Sequence, residues 1–116
     1  PLSNYTEKRP WGSFTVLDEG KGFKVKRITV EAGEKLSLQY HNRRSEHWTV
    51  VYGEASITVG ETVRELKVDE SIYIPREEKH CVANHTKDFI EIVEVQIGDY
   101  LFEDDIVRIE DRYGRT

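Results

Sequence analysis

Four side chains with metal-ligating donors stand at telling intervals in this chain: Gln39 and His41 two apart, Glu46 shortly after them, and His80 far downstream. If the run "LSLQYH" is extended, its side chains alternate: Ser37, Gln39 and His41 share one face, and Leu36, Leu38 and Tyr40 take the other. An amide oxygen, two imidazoles and a carboxylate converging inside a barrel would hold a divalent metal of intermediate hardness. Polar groups on a buried strand face are tolerable when a cation satisfies them. Taken alone, Gln39–x–His41 reads more readily as an exposed polar face, and His80, after the charged "PREEK", as a surface histidine. Only their joint spacing points to a metal.

Holding such groups together requires a rigid frame, and the rest of the chain reads as short strands. "GSFTVLD", "FKVKRITV", "HWTVVYG", "EASITVG", "SIYIP", "HCVANH" and "DFIEIVEVQIG" are alternating or β-branched runs punctuated by glycine or charged turns. "EASITVG" is expected to fold back on "HWTVVYG" as its hairpin partner. No segment carries a sustained 3.6-residue apolar stripe. About eight to ten short strands indicate an all-β sandwich or barrel. The tail "EDDIVRIEDRYGR" reads as a short helix or an extended arm. Residues 1–8 are expected to form an N-terminal arm, and residues 9–116 one domain.

Bulk properties narrow the partners. The 116 residues suffice for one modest core, with 34% charged and 37% apolar residues. A net charge of −5 argues against nucleic acid or an anionic membrane as the main partner. No apolar run approaches the ~20 residues of a membrane span, and no secretory h-region is visible. The single cysteine, Cys81, excludes an internal disulfide framework and fits a reducing, cytoplasmic setting.

Two longer stretches carry a family resemblance. "GEKLSLQYHNRRSEHWTVVYG" (33–53) resembles the first cupin motif, with Gln39 where the commonest version has histidine. "DESIYIPREEKHCVAN" (69–84) resembles the second, with Asp69 and Glu77 replacing its usual glycines. The glutamine variant, with "RPWG", "EHW", "EVQIGDYL" and the tail, is similar to the type II mannose-6-phosphate isomerase. That domain is often found at the C-terminus of bifunctional mannose-1-phosphate guanylyltransferases. The resemblance implies a single-domain cupin, a double-stranded β-helix or jelly-roll barrel. Its metal ligands would be Gln39, His41, Glu46 and His80. Zinc is the expected ion, with Mn2+, Co2+, Ni2+ or Fe2+ as other divalent choices. His47 would point to the opposite face, Cys81 away from the metal into the core, and His85 would have no transferred role.

The implied reaction is aldose–ketose isomerisation of mannose 6-phosphate to fructose 6-phosphate through a cis-enediol. Such chemistry needs an electrophile, which the metal would supply, and a base poised near neutrality. Candidates for the base are Lys26, Glu94 and a metal-bound hydroxide. Ile90, Ile92, Glu94 and Gln96 share one strand face, so Glu94 reaches the interior if that face is inward. An outward carboxylate is as good a reading, and Lys26 reads more readily as solvated. The phosphate needs cations: Arg108, Arg112 and Arg115 in the tail, with Arg9 and Lys79 next. The tail's interleaved acids would otherwise neutralise it. Arg108 and Arg115 are favoured for the pocket, with Arg108 counted beside Glu94 and Lys26 among the reacting groups. Guanylyl transfer would need a Gly-rich phosphate loop before a helix, and nothing here supplies one. The competing readings are a non-catalytic module that binds metal and sugar phosphate, and another metal-cupin enzyme such as an oxygenase. Gln39 counts against the oxygenase. Exposed strand edges would need covering, so a homodimer is expected.

Overall fold

A computed structural model describes residues 5–115. Among them the regular elements are all strands: β1 (Tyr5–Arg9), β2 (Gly12–Gly20), β3 (Phe23–Val30), β4 (Leu38–Tyr40), β5 (Arg44–Tyr52), β6 (Ala55–Val59), β7 (Thr62–Leu66), β8 (Ser71–Ile74), β9 (His80–Ala83), β10 (Ile90–Gly98) and β11 (Val107–Glu110). Their β-branched and aromatic residues pack well on a pleated surface. No helix among the described residues is long and apolar enough to cross a membrane. Two antiparallel sheets form, of order β1-β2-β3-β10-β5-β8 and β11-β4-β9-β6-β7, and both contribute to one apolar core. The all-β expectation holds.

Local expectations fared differently. The hairpin of "HWTVVYG" with "EASITVG" does not form: β5 lies between β10 and β8, and β6 between β9 and β7. The chain changes sheet at Gly53, where φ is 84° and a Cβ would lie 2.6 Å from Ile90 Cγ2. A left-handed glycine pressed against a core side chain redirects the strand instead of reversing it. The tail takes the extended of its two expected forms: Val107–Glu110 is β11, which pairs with β4. Of the arm expected over residues 1–8, residues 1–4 lie outside the described residues. Tyr5–Lys8 belong to β1, an edge strand in register with β2 from Tyr5↔Val16 to Arg9↔Gly12.

Register sorts the interior into layers. On β3, β10 and β5 the inward positions are cross-strand partners: Ile28, Ile92 and Val50 form one row, and Lys26, Glu94 and Trp48 the next. Lys24, Gln96 and Glu46 follow. In the second sheet Arg108, Gln39 and His80 are partners in sequence across β11, β4 and β9. One end of the barrel is therefore lined by apolar side chains and the other by polar ones, and almost all of both are buried.

The two positions where the second motif lacks glycine keep the backbone that glycine favours. Asp69 has φ 80° and Glu77 φ 67°. Asp69 N–H donates to Val50 O at 2.9 Å, and Glu77 N–H to His41 O at 2.8 Å. The second bond ties the loop before His80 to the strand end bearing His41, and these bonds offset the left-handed strain of a non-glycine residue.

Candidate metal centre

His41, Glu46 and His80 each bring a ligand atom to one place, all within 4.8 Å of one another. All three are buried. His41 Nε2 lies 3.4 Å from Glu46 Oε2, and His80 Nε2 lies 3.6 Å from Glu46 Oε1. The other ring nitrogens are already engaged: His41 Nδ1 with Asp105 O at 2.6 Å, and His80 Nδ1 with Glu78 O at 2.9 Å. A carbonyl oxygen only accepts, so each Nδ1 carries the proton and each Nε2 presents a lone pair to Glu46. Burial lowers both imidazole pKa values. For His41 the nearby Arg44 lowers it further, to about 4. Neutral rings are what a metal requires.

These residues fit a divalent ion on the strength of one buried atom in particular. His80 Nε2 has no hydrogen-bond partner among the described residues, and an unsatisfied buried acceptor is costly unless something binds it. Gln39 is buried and stands opposite His80 in register, on the wall of the same pocket.

A second tier of side chains holds this set. Trp48 Nε1–H donates to Glu46 Oε1 at 3.1 Å and to Glu94 Oε2 at 2.9 Å. Gln96 Nε2–H donates to Glu94 Oε1 at 2.6 Å. Glu94 faces inward, and its carboxyl is pushed up to about 7 by burial and then by the charge of Glu46. Lys26 also faces inward, against the reading of it as solvated. It is 3% exposed, ion-paired with Glu103, and sits 4.0 Å from the Phe14 ring centroid. Asp105 accepts the backbone N–H groups of Asn42 and Arg43 at 3.1 and 3.0 Å, fixing the turn after His41.

The arginines separate by pairing. Arg9, Arg108 and Arg115 line the pocket. Arg9 is paired with Glu7 at 2.8 Å. Arg115 grips Asp111 with two bonds of 2.7 and 2.9 Å, and these bonds hold the Asp111 carboxyl down at about 2. Arg108 makes no ion pair among the described residues, and its Nε is buried without a partner. Burial and then Arg115 lower its pKa. Lys79 does not join them: it is exposed and off the pocket wall, because the turn before β9 carries it outward. Arg112 is exposed too, bonded to Gly33 O at 2.9 Å. His47 points outward and packs on Tyr73, with ring centroids 4.8 Å apart. Cys81 faces away from the metal ligands but not into the core, being half-buried beside Thr58 and Asp111.

Sequence reasoning missed Arg44, Trp48, Gln96 and Glu103 as site residues. The signal for three of them was present. Alternation backward and forward from Glu46 places Arg44 and Trp48 on its face, as alternation from Glu94 does Gln96. Glu103 sits in a loop, where no periodicity marks it.

Residues 3–111 match the family model described as mannose-6-phosphate isomerase, C-terminal. The mannose-1-phosphate guanylyltransferase ManC of Salmonella typhimurium is 51% identical over 108 residues, which are 93% of this chain and 22% of that protein. The chain thus spans under a quarter of the length of this curated relative. Among solved structures, the cupin domain of Schizosaccharomyces pombe Cnp3 superposes with a TM-score of 0.71 at 18% identity, over 75% of this chain and 64% of that one. A Klebsiella pneumoniae protein with a double-stranded β-helix domain gives 0.73 at 19%, over 96% and 90%. At such identity these two establish the fold alone: a cupin. The relative's name corrects the functional expectation. What the chain matches is a part, 22%, of a larger protein named for guanylyl transfer, and neither that match nor the family model establishes that this chain interconverts mannose 6-phosphate and fructose 6-phosphate.

Proposed function

The chain belongs to the mannose-6-phosphate isomerase C-terminal family, and from that premise we propose that its pocket holds one divalent metal ion and binds a phosphorylated sugar beside it, as one domain of a longer mannose-1-phosphate guanylyltransferase. His41, Glu46, His80 and Gln39 hold the ion, with zinc the choice that two imidazoles, a carboxylate and an amide suit. The observation that carries this reading is the shared tautomer of the two histidines. Both Nδ1 atoms are committed to backbone carbonyls, and both Nε2 lone pairs face Glu46.

When bound, the ion would supply positive charge that stabilises negative charge on the ligand. The chain's own residues do the rest. Arg108, with an unpartnered N–H, receives the phosphate, while Arg9 and Arg115 flank it with charge already shared with Glu7 and Asp111. Glu94 stands on the pocket wall beside Glu46, where its carboxyl can accept a hydrogen bond from a sugar hydroxyl. Lys26 is less free, its ammonium being committed to Glu103. Trp48 and Gln96 orient the carboxyl of Glu94.

Titration calorimetry tests the reading with Zn2+ alone and then with mannose 1-phosphate and mannose 6-phosphate. One ion should bind per chain, and sugar phosphates should bind tightly only with the ion present. Arg108→Ala should weaken the phosphorylated sugars roughly tenfold or more and leave unphosphorylated mannose and Zn2+ unchanged. Sugar-phosphate binding indifferent to both zinc and Arg108 would refute it. A homodimer in a cytoplasmic setting completes the proposal, and sedimentation of the purified chain tests the dimer.

A further inference from the structure

Arg44 is the buried cation nearest the prospective metal ligands, and the reading above gives it no task. Only 4% of it is exposed. Its Nε–H donates to Glu46 Oε2 at 2.7 Å, and its Nη2 lies 3.2 Å from His41 Nε2. Its Nη1 is buried without a partner among the described residues. Both of its hydrogen bonds therefore go to atoms that the metal site needs.

We infer that Arg44 is a built-in competitor for the metal ion, its guanidinium engaging the lone pairs through which His41 and Glu46 would bind that ion. The conflict is sharpest at His41. With Nδ1 committed to Asp105 O, Nε2 offers a single lone pair, and that lone pair cannot serve Arg44 and a metal together. A carboxylate oxygen has room for two partners, so Glu46 can keep Arg44 Nε while it ligates. Metal binding is then an exchange of one cation for another at His41. The backbone gives Arg44 little freedom to withdraw as a unit. A Cβ at Gly98, the residue paired with Arg44, would lie 2.3 Å from Arg43 O and 3.0 Å from Arg44 Cα, so β10 is pressed closely onto β5 there. The exchange is made by rotation of the side chain.

Two effects follow with opposite signs. Without Arg44, Glu46 is buried with only the Trp48 N–H as donor among the described residues, so the metal-free fold weakens. The same change frees the His41 lone pair and removes a like charge, so metal affinity rises. A purely structural Arg44 would lower both together.

This inference rests on the metal site proposed above, and the experiment separates the two. Zn2+ affinity is measured by chelator competition, and thermal stability in chelator, for the wild-type chain, Arg44→Met and Arg44→Lys. Arg44→Met should bind Zn2+ roughly tenfold tighter or more and melt at a lower temperature when metal-free. Arg44→Lys, which keeps the charge without the fork, should fall between. Equal or weaker zinc binding by Arg44→Met overturns the inference while leaving the metal site standing. No zinc binding by the wild-type chain overturns both. Should Arg44→Met not fold without metal, the wild-type chain decides by nitrogen-edited NMR. The Arg44 Nη resonances should shift and exchange faster with water on zinc saturation, and unchanged resonances refute the competition.

Discussion

The two ends of this barrel are built from the same strands and do opposite work. Strand β10 turns Ile90 and Ile92 inward at one end and Glu94 and Gln96 at the other, and β3 does the same with Val30 and Ile28, then Lys26 and Lys24. Strand β5 matches them with Val50 and Trp48, then Glu46 and Arg44. Burial is nearly complete at both ends, so exposure does not tell them apart. What differs is how the inward groups are satisfied. The apolar end is held by area removed from water, about 1.5–3 kcal/mol for each large aliphatic side chain. The polar end is held by directed bonds among Trp48, Glu46, Glu94 and Gln96, leaves His80 Nε2 and Arg44 Nη1 without partners among the described residues, and contributes little net stability of its own. A site for a ligand is the part of the core that the fold leaves unfinished.

That contrast can be broken by substitution, and the apolar end should give the larger loss of stability. Ile92→Ala should destabilise by about 2–5 kcal/mol in urea, while zinc still binds one ion per folded chain. His80→Ala should act chiefly on the metal. Zinc affinity should fall roughly a hundredfold or more, while metal-free stability falls by less than for Ile92→Ala, since loss of the buried ring and of its Nδ1 bond to Glu78 O is partly offset by removal of an Nε2 with no partner among the described residues. If His80→Ala were as destabilising as Ile92→Ala without altering zinc affinity, the polar end would be ordinary core.

The pH profile in chelator sharpens the comparison further. Glu94, raised to about 7 from 4.5 by burial and then by Glu46, holds its proton more tightly folded than unfolded. Its contribution therefore lowers stability as pH rises through that interval. His41, lowered from 6.5 to about 4 by burial and then by Arg44, acts in the opposite sense: stability rises with pH from about 4 to 6.5. In the wild-type chain the two slopes oppose each other. Glu94→Gln removes the first, so its stability should climb more steeply up to about pH 6.5 and then level. A profile parallel to wild type would mean that Glu94 does not titrate in this range. The smallest effect belongs to the turns. Glu77→Gly should stabilise by about 1 kcal/mol, because glycine adopts φ 67° without steric cost.

Much of the candidate metal set could be read from the sequence because alternation is a local property. Gln39 and His41 share a face by their two-residue spacing, and β10 turns Glu94 and Gln96 to the side of Ile90 and Ile92 for the same reason. Alternation does not say which face is inward. On the strand of Gln39, the apolar positions Leu38 and Tyr40 are only half-buried, while the polar ones are buried. The hairpin of β5 with β6 failed for a related reason, since adjacency in sequence suggested a pairing that two sheets dividing the strands between them did not honour.

The sequence by itself determined the strand-rich architecture, the identity of the donor atoms and the residues that lie on one face together. These depend on backbone periodicity and side-chain chemistry within a few residues. Tertiary structure alone decided that Lys26 turns inward against Glu103, that Arg44 sits between His41 and Glu46, and that Lys79 stays outside while Arg108 faces the pocket. Those outcomes depend on cross-strand register between segments far apart in the chain. Register is set by how the whole interior packs, not by any local run of residues.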